Sequence, residues 1–397
     1  MIKQHLSYLF SLETKGIKLG LERTNQLFDA CANPQKNFKS IQVIGTNGKG
    51  STSAMIANIF KVSGYKVGLY TSPHLNKINE RIRINGQSIK DQDIVSFINS
   101  YKKNINYLNA SFFEVMTALA VWYFKKEKVD IAILETGLGG RLDSVTACAS
   151  EMLVCTSISK DHQHILGDSI IEIAHEKACA LQANMVCISI NHPSEIKTIF
   201  NNRAKLVEST IQYMDNIENN PYCKLNGQHQ MENASLAIHA AQNFQNFNIS
   251  NKDIEIGLSS TYWPGRIEKI YDNPTVYFDV AHNEASFISL CNFTSKLKGS
   301  KTLILALQKN KNITKAIQFI EETFDKIILT QTNVRNYMPA DSLALLFTKT
   351  KTQIINQPEQ SIQLSLEDTS NTNIIIAGSH YLGPAISKQF KISFENI

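Results

Sequence analysis

"IGTNGKGSTS" (Ile44–Ser53) sets three glycines among small polar residues, with Lys49 between Gly48 and Gly50. The residues before it, "SIQVIG" (Ser40–Gly45), read as a strand, and those after it, "STSAMIANIFKVSG" (Ser51–Gly64), as a helix. A strand, a glycine turn and a helix N-terminus in that order present backbone N–H groups to an anion. Lys49 adds a point charge suited to β/γ-phosphates, and glycine permits the close backbone approach. The phosphate-binding stretch is therefore expected to be Gly45, Thr46, Asn47, Gly48, Lys49, Gly50, Ser51 and Thr52. A generic glycine turn is the competing reading, but it does not account for lysine, hydroxyls and helix together. The pattern departs from G-x-x-x-x-G-K-[ST]. Gly45 lies only three residues before Gly48, and Gly50 replaces the hydroxyl that normally follows the lysine. If Mg²⁺ is used, some of its ligands must come from elsewhere in the chain.

Outward from this loop, short apolar runs alternate with amphipathic segments. "KVGLYTS" (Lys66–Ser72), "VDIAILET" (Val129–Thr136), "EMLVCTSIS" (Glu151–Ser159) and "MVCISI" (Met185–Ile190) read as strands. "FFEVMTALAVWYFKKE" (Phe112–Glu127), "DSIIEIAHEKACALQ" and "QMENASLAIHAAQNF" read as helices. Lys197–Tyr222 is polar and poorly patterned. "STYWPGR" (Ser260–Arg266) breaks the rhythm, which then restarts with strands "TVYFDVA", "KTLILAL", "KIILT" and "NIIIAGS". The fold class is α/β, with a mainly parallel sheet covered on both faces and a smaller second α/β unit. The boundary is placed near Ser259–Tyr262, giving units 1–261 and 262–397.

The bulk properties suit a soluble globular protein. The chain has 397 residues, 43% hydrophobic and 19% charged, which exceeds one ordinary core and favours two domains. A net charge of +5 without a block of like charges leaves nucleic acid unforced and suits small anionic substrates. Seven cysteines, an odd number with no C-x-x-C pair, argue against a disulfide framework or zinc site and for a reducing compartment. "MIKQHLSYLFSLETKG" lacks an apolar signal core, and no run of about 18 apolar residues occurs. A cytoplasmic location with no membrane partner is expected.

Three segments offer metal ligands: Ser72 in "YTSPHL", Glu114 in "SFFE", and Asp161, His162 and His164 in "SISKDHQHILG". In a parallel sheet the carboxyl ends of strands converge on one edge, and Mg²⁺ accepts a sparse oxygen set completed by phosphate and water. Each residue also has a plainer reading. Ser111 and Glu114 fit an S-x-x-E capping box, Ser72 before Pro73 fits turn chemistry, and His162 needs only a carbonyl partner.

Taken in order, "IGTNGKGS", "TSPHL" with "ERI" (Glu80–Ile82), "FFE", "ETGLGGRLD" (Glu135–Asp143), "DHQHILG", Glu176–Lys177, "NGQHQMENA" (Asn226–Ala234), "WPGR" and "DVAHN" (Asp279–Asn283) resemble the dihydrofolate synthase/folylpolyglutamate synthase family, a branch of the Mur ligase superfamily. "IKLGLERTNQLF" near the start and "GSHYLG" near the end extend the likeness over essentially the whole chain. The resemblance implies an N-terminal P-loop ATPase domain, a C-terminal Rossmann-like glutamate-ligase domain and catalysis in the cleft between them. It implies ATP-dependent joining of L-glutamate to dihydropteroate and reduced folates, by a monomer using ATP, Mg²⁺ (two ions) and a monovalent cation. By matching positions it implies Ser72, Glu114, His162 and a carbamylated Lys177 as metal ligands. Asn233, Arg266 and Asp279 are implied as nucleotide contacts beside the loop, and Lys49, Lys177 and His282 as catalytic residues. Pro73, His74 and Arg81 are implied at the pterin site.

Lys177 in "HEK" reads equally as a solvated helix face, and His282 as a turn residue after a strand. Three departures from the family pattern bear on substrate preference rather than reaction type: Ser144-Val145-Thr146 after "GGRLD", Cys179-Ala180 after "EKA", and Asn310-Lys311-Asn312 where Asp-Lys-Asp is usual. The competing functions are a monofunctional folylpolyglutamate synthase, a Mur-type cell-wall amino acid ligase, and a non-enzymatic nucleotide switch. The last leaves "WPGR" and "DVAHN" unexplained.

Overall fold

The computed structural model describes residues 2–16, 18–214, 220–334, 336–350 and 352–397. Among these residues the strands form two sheets. The first comprises β1 (Lys39–Ile44), β2 (Val67–Tyr70), β3 (Ile82–Ile84), β4 (Gln87–Ser88), β5 (Ile131–Glu135), β6 (Met152–Cys155), β7 (Val186–Ser189) and β8 (Thr210–Tyr213), in the order β4-β3-β2-β5-β1-β6-β7-β8. From β2 through β5, β1, β6 and β7 to β8 every pairing is parallel, whereas β3 pairs antiparallel with both β2 and β4. The second sheet comprises β9 (Glu268–Tyr271), β10 (Thr275–Phe278), β11 (Lys301–Leu305), β12 (Lys326–Leu329), β13 (Thr352–Ile354) and β14 (Asn373–Ala377), in the order β13-β12-β11-β14-β10-β9. Only β9 is antiparallel there.

Continuous apolar strands are what a sheet buried on both faces requires. In β5, Ile131 and Ile133 enter the core under the helix Lys49–Val62, while Ala132 and Leu134 enter the core under the helix Phe112–Lys126. The second sheet divides likewise, with Leu303 and Leu305 on one side and Ile304 on the other. The first lobe's last helix, Asn251–Ser260, packs on Lys49–Val62, and the second sheet begins at Glu268. Among the described residues no helix is long and apolar enough to cross a membrane.

Two expectations need correction. Lys197–Tyr222 is not patternless. The helix Ser194–Leu206 buries Ile196, Ile199, Phe200 and Ala204 at helical spacing, and β8 follows. The polar residues that concealed the pattern lie on the exposed faces of this helix and edge strand. Residues 215–219 of that stretch lie outside the described residues. The strand expected over Glu151–Ser159 ends at Cys155. Beyond it Ser157 turns to bridge Asn47, carrying the next residues over the phosphate loop.

Candidate active site

The residues that follow the parallel strands of both sheets face each other across one cleft of about 730 Å³. From the first lobe come the loop after β1, Ser72 and Pro73 after β2, Glu135–Gly139 at the end of β5, and Asp161 and His162 after β6. From the second come Asp279–His282 after β10, Lys311 after β11, and Gly378–Tyr381 after β14. Both sheets thus turn their carboxyl edges, where α/β proteins bind ligands, toward the same space.

The glycine loop is built for close approach. Gly45 and Gly48 hold φ of 139° and 88°. A Cβ on Gly45 would strike the Thr156 hydroxyl, one on Gly48 the Asn233 amide, and one on Gly50 would lie 2.9 Å from Trp263 Nε1. Here the helix Lys49–Val62 begins, and the Lys49 ammonium donates to Thr46 O at 3.1 Å. Behind the loop, Ser51 Oγ and Thr52 Oγ1 are buried with no protein hydrogen-bond partner. Buried hydroxyls rarely stay unpaired, and at a helix N-terminus an anion and its cation are fitting partners.

Lys177 is not on a solvated face. It is 4% exposed, and its Nζ donates to Gly45 O at 2.6 Å. Burial, reinforced by the Lys49 charge, lowers its pKa to about 7, so a large share of this amine is neutral near neutral pH. Glu114 makes the capping box: its Oε2 accepts from Ser111 N and Oγ, both at 2.7 Å. Its Oε1 accepts from Arg23 Nε at 2.9 Å, and Glu114 still lines the cleft. His162 sits at φ 50° before a short helical turn. Burial and the Lys311 charge hold its pKa at about 3, leaving a neutral ring.

On the opposite wall, burial depresses the Arg266 pKa, and the charges of Asp279 and Glu135 oppose it. Asp279 is committed to backbone: Oδ2 accepts from Ile267 N at 2.8 Å and Oδ1 from Ala281 N at 2.7 Å. It therefore pins the Arg266 turn to the end of β10. His282 makes the turn contact expected of it and also lines the cleft. Nδ1 is 2.8 Å from Val280 O, as a turn residue would be, while Nε2 faces Asp161 at 3.4 Å across the cleft. Asn233 lines the cleft and bonds Gln230 at 2.9 Å.

Of the twenty-one candidate site residues, Asp161 and His164 included, eighteen line this cleft; Thr52, His74 and His164 do not. Thr52 is buried in the first turn of the helix. His74 stands behind Arg81, accepting from its Nε at 2.9 Å on Nδ1, and so orients that arginine over the Phe112 ring at 5.1 Å. Burial and the Arg81 charge lower the His74 pKa to about 3. Among the residues that sequence reasoning left without a role, Glu135, Lys311 and His380 also line the cleft. Glu135 accepts from Ser72 N at 3.0 Å, and its place at the end of the strand beside β1 was the signal available.

Comparison with known proteins agrees with this architecture. Residues 265–380 match the family described as Mur ligase, glutamate ligase domain. The chain is 32% identical to the dihydrofolate synthase/folylpolyglutamate synthase of Bacillus subtilis, over 95% of this chain and 96% of that protein. Escherichia coli FolC, solved in complex with DHPP and ADP, superposes with a TM-score of 0.89 at 26% identity, covering 98% of this chain and 97% of that one. The fold is shared with the bifunctional enzyme of Yersinia pestis solved with AMPPNP and Mn ion, at a TM-score of 0.88, 24% identity and 98% coverage of both chains. The chain belongs to the dihydrofolate synthase/folylpolyglutamate synthase family of ATP-dependent ligases that add glutamate to folates.

Proposed function

We propose that this chain joins L-glutamate to dihydropteroate and to reduced folates through an acyl phosphate, with 1–261 as the ATP-binding unit and 262–397 as the glutamate-ligase unit. One observation carries the reading: the phosphate loop on one carboxyl edge and Arg266 on the other enclose a single cleft.

A carboxylate repels a nucleophile and has no usable leaving group. Its oxygen attacks the γ-phosphorus, the bond to ADP breaks, and an acyl phosphate results. The glutamate amine then attacks the acyl carbon, the C–O bond to phosphate breaks, and the amine loses its proton as the amide forms. Phosphoryl transfer depends on positioning and charge neutralisation. Lys49 and the N–H groups of the loop hold the transferred group, and Arg266 brings a cation from the second lobe. Asn233, packed against Gly48, and Asp279, through the Arg266 turn, shape the nucleotide side. Arg81, held by His74 beside Pro73 and Phe112, offers a flat cation for the pterin end. His282 faces the glutamate side. Closing the cleft excludes water, which would hydrolyse the acyl phosphate.

The donor set fits Mg²⁺: Ser72, Glu114 and His162 line the cleft, and the unpartnered Ser51 hydroxyl lies at the loop. Two ions bound there would neutralise the phosphate oxygens. Lys177, neutral enough to take up CO₂ as a carbamate, would supply a further oxygen ligand. A monovalent cation, a monomeric state and a cytoplasmic setting complete the proposal, the last supported by the odd cysteine count.

The test is phosphate release from ATP with glutamate plus dihydropteroate, tetrahydrofolate or a UDP-muramoyl peptide, with mass spectrometry of the products. Glutamate-dependent turnover is expected with both pterins. Turnover with tetrahydrofolate alone would leave the monofunctional reading, and none with either pterin would end the proposal.

A further inference from the structure

One first-lobe carboxylate collects several second-lobe groups. Asp161 accepts from Lys311 Nζ at 2.8 Å on Oδ1 and 3.1 Å on Oδ2, and from Asn283 Nδ2 at 3.3 Å, with His282 Nε2 at 3.4 Å. The pair is withdrawn from solvent, with side chains 7% and 10% exposed. Burial works against ionising Asp161, but His282 and Lys311 beside it keep the carboxylate charged. The same second-lobe segment reaches the phosphate loop, where Asn283 Nδ2 donates to Asn47 Oδ1 at 2.9 Å. Asp161 in turn accepts from its neighbour's backbone, His162 N, at 2.7 Å, and Lys311 Nζ lies 3.4 Å from the His162 ring.

We propose that Lys311 is a positioning residue that acts through Asp161: their ion pair latches the second lobe against the phosphate-loop edge and sets the closed cleft in which glutamate attacks. This rests on the ligase reading above, whose own chemistry assigns Lys311 no part. The pair suits a latch. Two charges left unmatched when the lobes part regain water, whereas in the closed form the Lys311 ammonium is matched by Asp161, and Asp161 by Lys311 together with Asn283, His282 and the His162 N–H. Removing one partner from such a buried pair leaves the other uncompensated, so either deletion should cost as much as both.

The experiment is a double-mutant cycle on Lys311→Met, Asp161→Asn and the double variant, with Lys311→Arg as the conservative control. Three quantities are read: kcat/KM for glutamate, ATP affinity, and the radius of gyration in solution with ATP bound. Each single variant should lose about a hundredfold in kcat/KM for glutamate. The double variant should lose no more than the worse single one, and Lys311→Arg should regain at least a tenth of wild-type activity. ATP affinity should shift less than about threefold, which also shows that the variants fold, while scattering should show opening in both single variants. Losses that multiply in the double variant, or an unchanged radius of gyration, would overturn the latch. Because scattering and ATP binding do not require turnover, the latch can be judged even if wild-type protein shows no glutamate-dependent activity, a result that would count against the ligase reading alone.

Discussion

The two lobes meet in two places of opposite character. Beside the phosphate loop the contacts are polar and run from side chain to side chain, Asn283 to Asn47 and Lys311 to Asp161. At the β3–β4 hairpin they combine a buried apolar core with bonds to the main chain of residues 393–397, beside one ion pair, Lys77 to Glu395 at 2.8 Å. Residues 393–397 of the second lobe lie along the hairpin there: Ile397 N donates to Gly86 O at 2.9 Å, Asn396 bridges Gln87, and Arg83 Nη2 donates to Phe394 O at 2.7 Å. Phe394 is 1% exposed and shares a core with Phe278 and with Leu75 from the first lobe. None of residues 393–397 lines the cleft. Polar side chains can exchange their partners for water as a gap opens, whereas buried apolar surface cannot be uncovered without a free-energy cost. The contacts at the site can therefore be exchanged for water if the lobes part, whereas those away from it hold the lobes together, so substitutions at the two ends should move different observables.

The largest expected effect lies at the polar end. Lys49→Ala should lower glutamate-dependent phosphate release by about 10² to 10³-fold, because it removes a fixed charge from the transferred phosphoryl group. A loss below about fivefold would detach that lysine from the chemistry. Lys177→Ala should follow, with a loss of about a hundredfold, partly recovered by added short carboxylates that stand in for the carbamate. The pH dependence has a defined sign. With its pKa lowered to about 7 by burial, the Lys177 amine is protonated and unreactive toward CO₂ below that pH and neutral above it. Wild-type activity at fixed bicarbonate should therefore rise with pH through about 7. An untreated Lys177→Ala variant with full activity would discard the carbamate.

The fastened end should respond in stability instead. Phe394→Ala should lower the unfolding free energy in urea by about 3–5 kcal/mol while turnover stays within about threefold. A large loss of turnover with little loss of stability would reverse the assignment of the two ends. As the smallest effect, Tyr107→Ala, at a side chain 89% exposed, should change stability by no more than about 0.5 kcal/mol.

How much of this could be read from the chain depended on whether the determinant was local. The phosphate loop was legible because strand, glycines, lysine and helix follow one another, and glycine spacing dictates backbone approach. Strands buried on both faces were legible as apolar runs, and the Glu114 cap as S-x-x-E. The short edge strand β8 was not legible, since half of its side chains face solvent and leave no apolar run. The ion pair of Asp161 with Lys311 spans 150 residues of sequence, and no local pattern marks either member as the other's partner. His74 illustrates the same limit: its motif placed it near the substrate, and only packing shows it behind Arg81. Asp279 was expected at the nucleotide, and its two backbone bonds, one to Ala281 in its own turn and one to Ile267 in the Arg266 turn, appear only once the two turns are brought together.

The central claim is that the acid is activated by the γ-phosphoryl group before glutamate attacks. It is tested most directly with dihydropteroate carrying ¹⁸O in its carboxylate, turned over with ATP and glutamate, followed by mass analysis of the released phosphate and nucleotide. An acyl phosphate predicts one ¹⁸O atom in inorganic phosphate and none in the nucleotide. Labelled AMP, or phosphate free of ¹⁸O, would contradict the account.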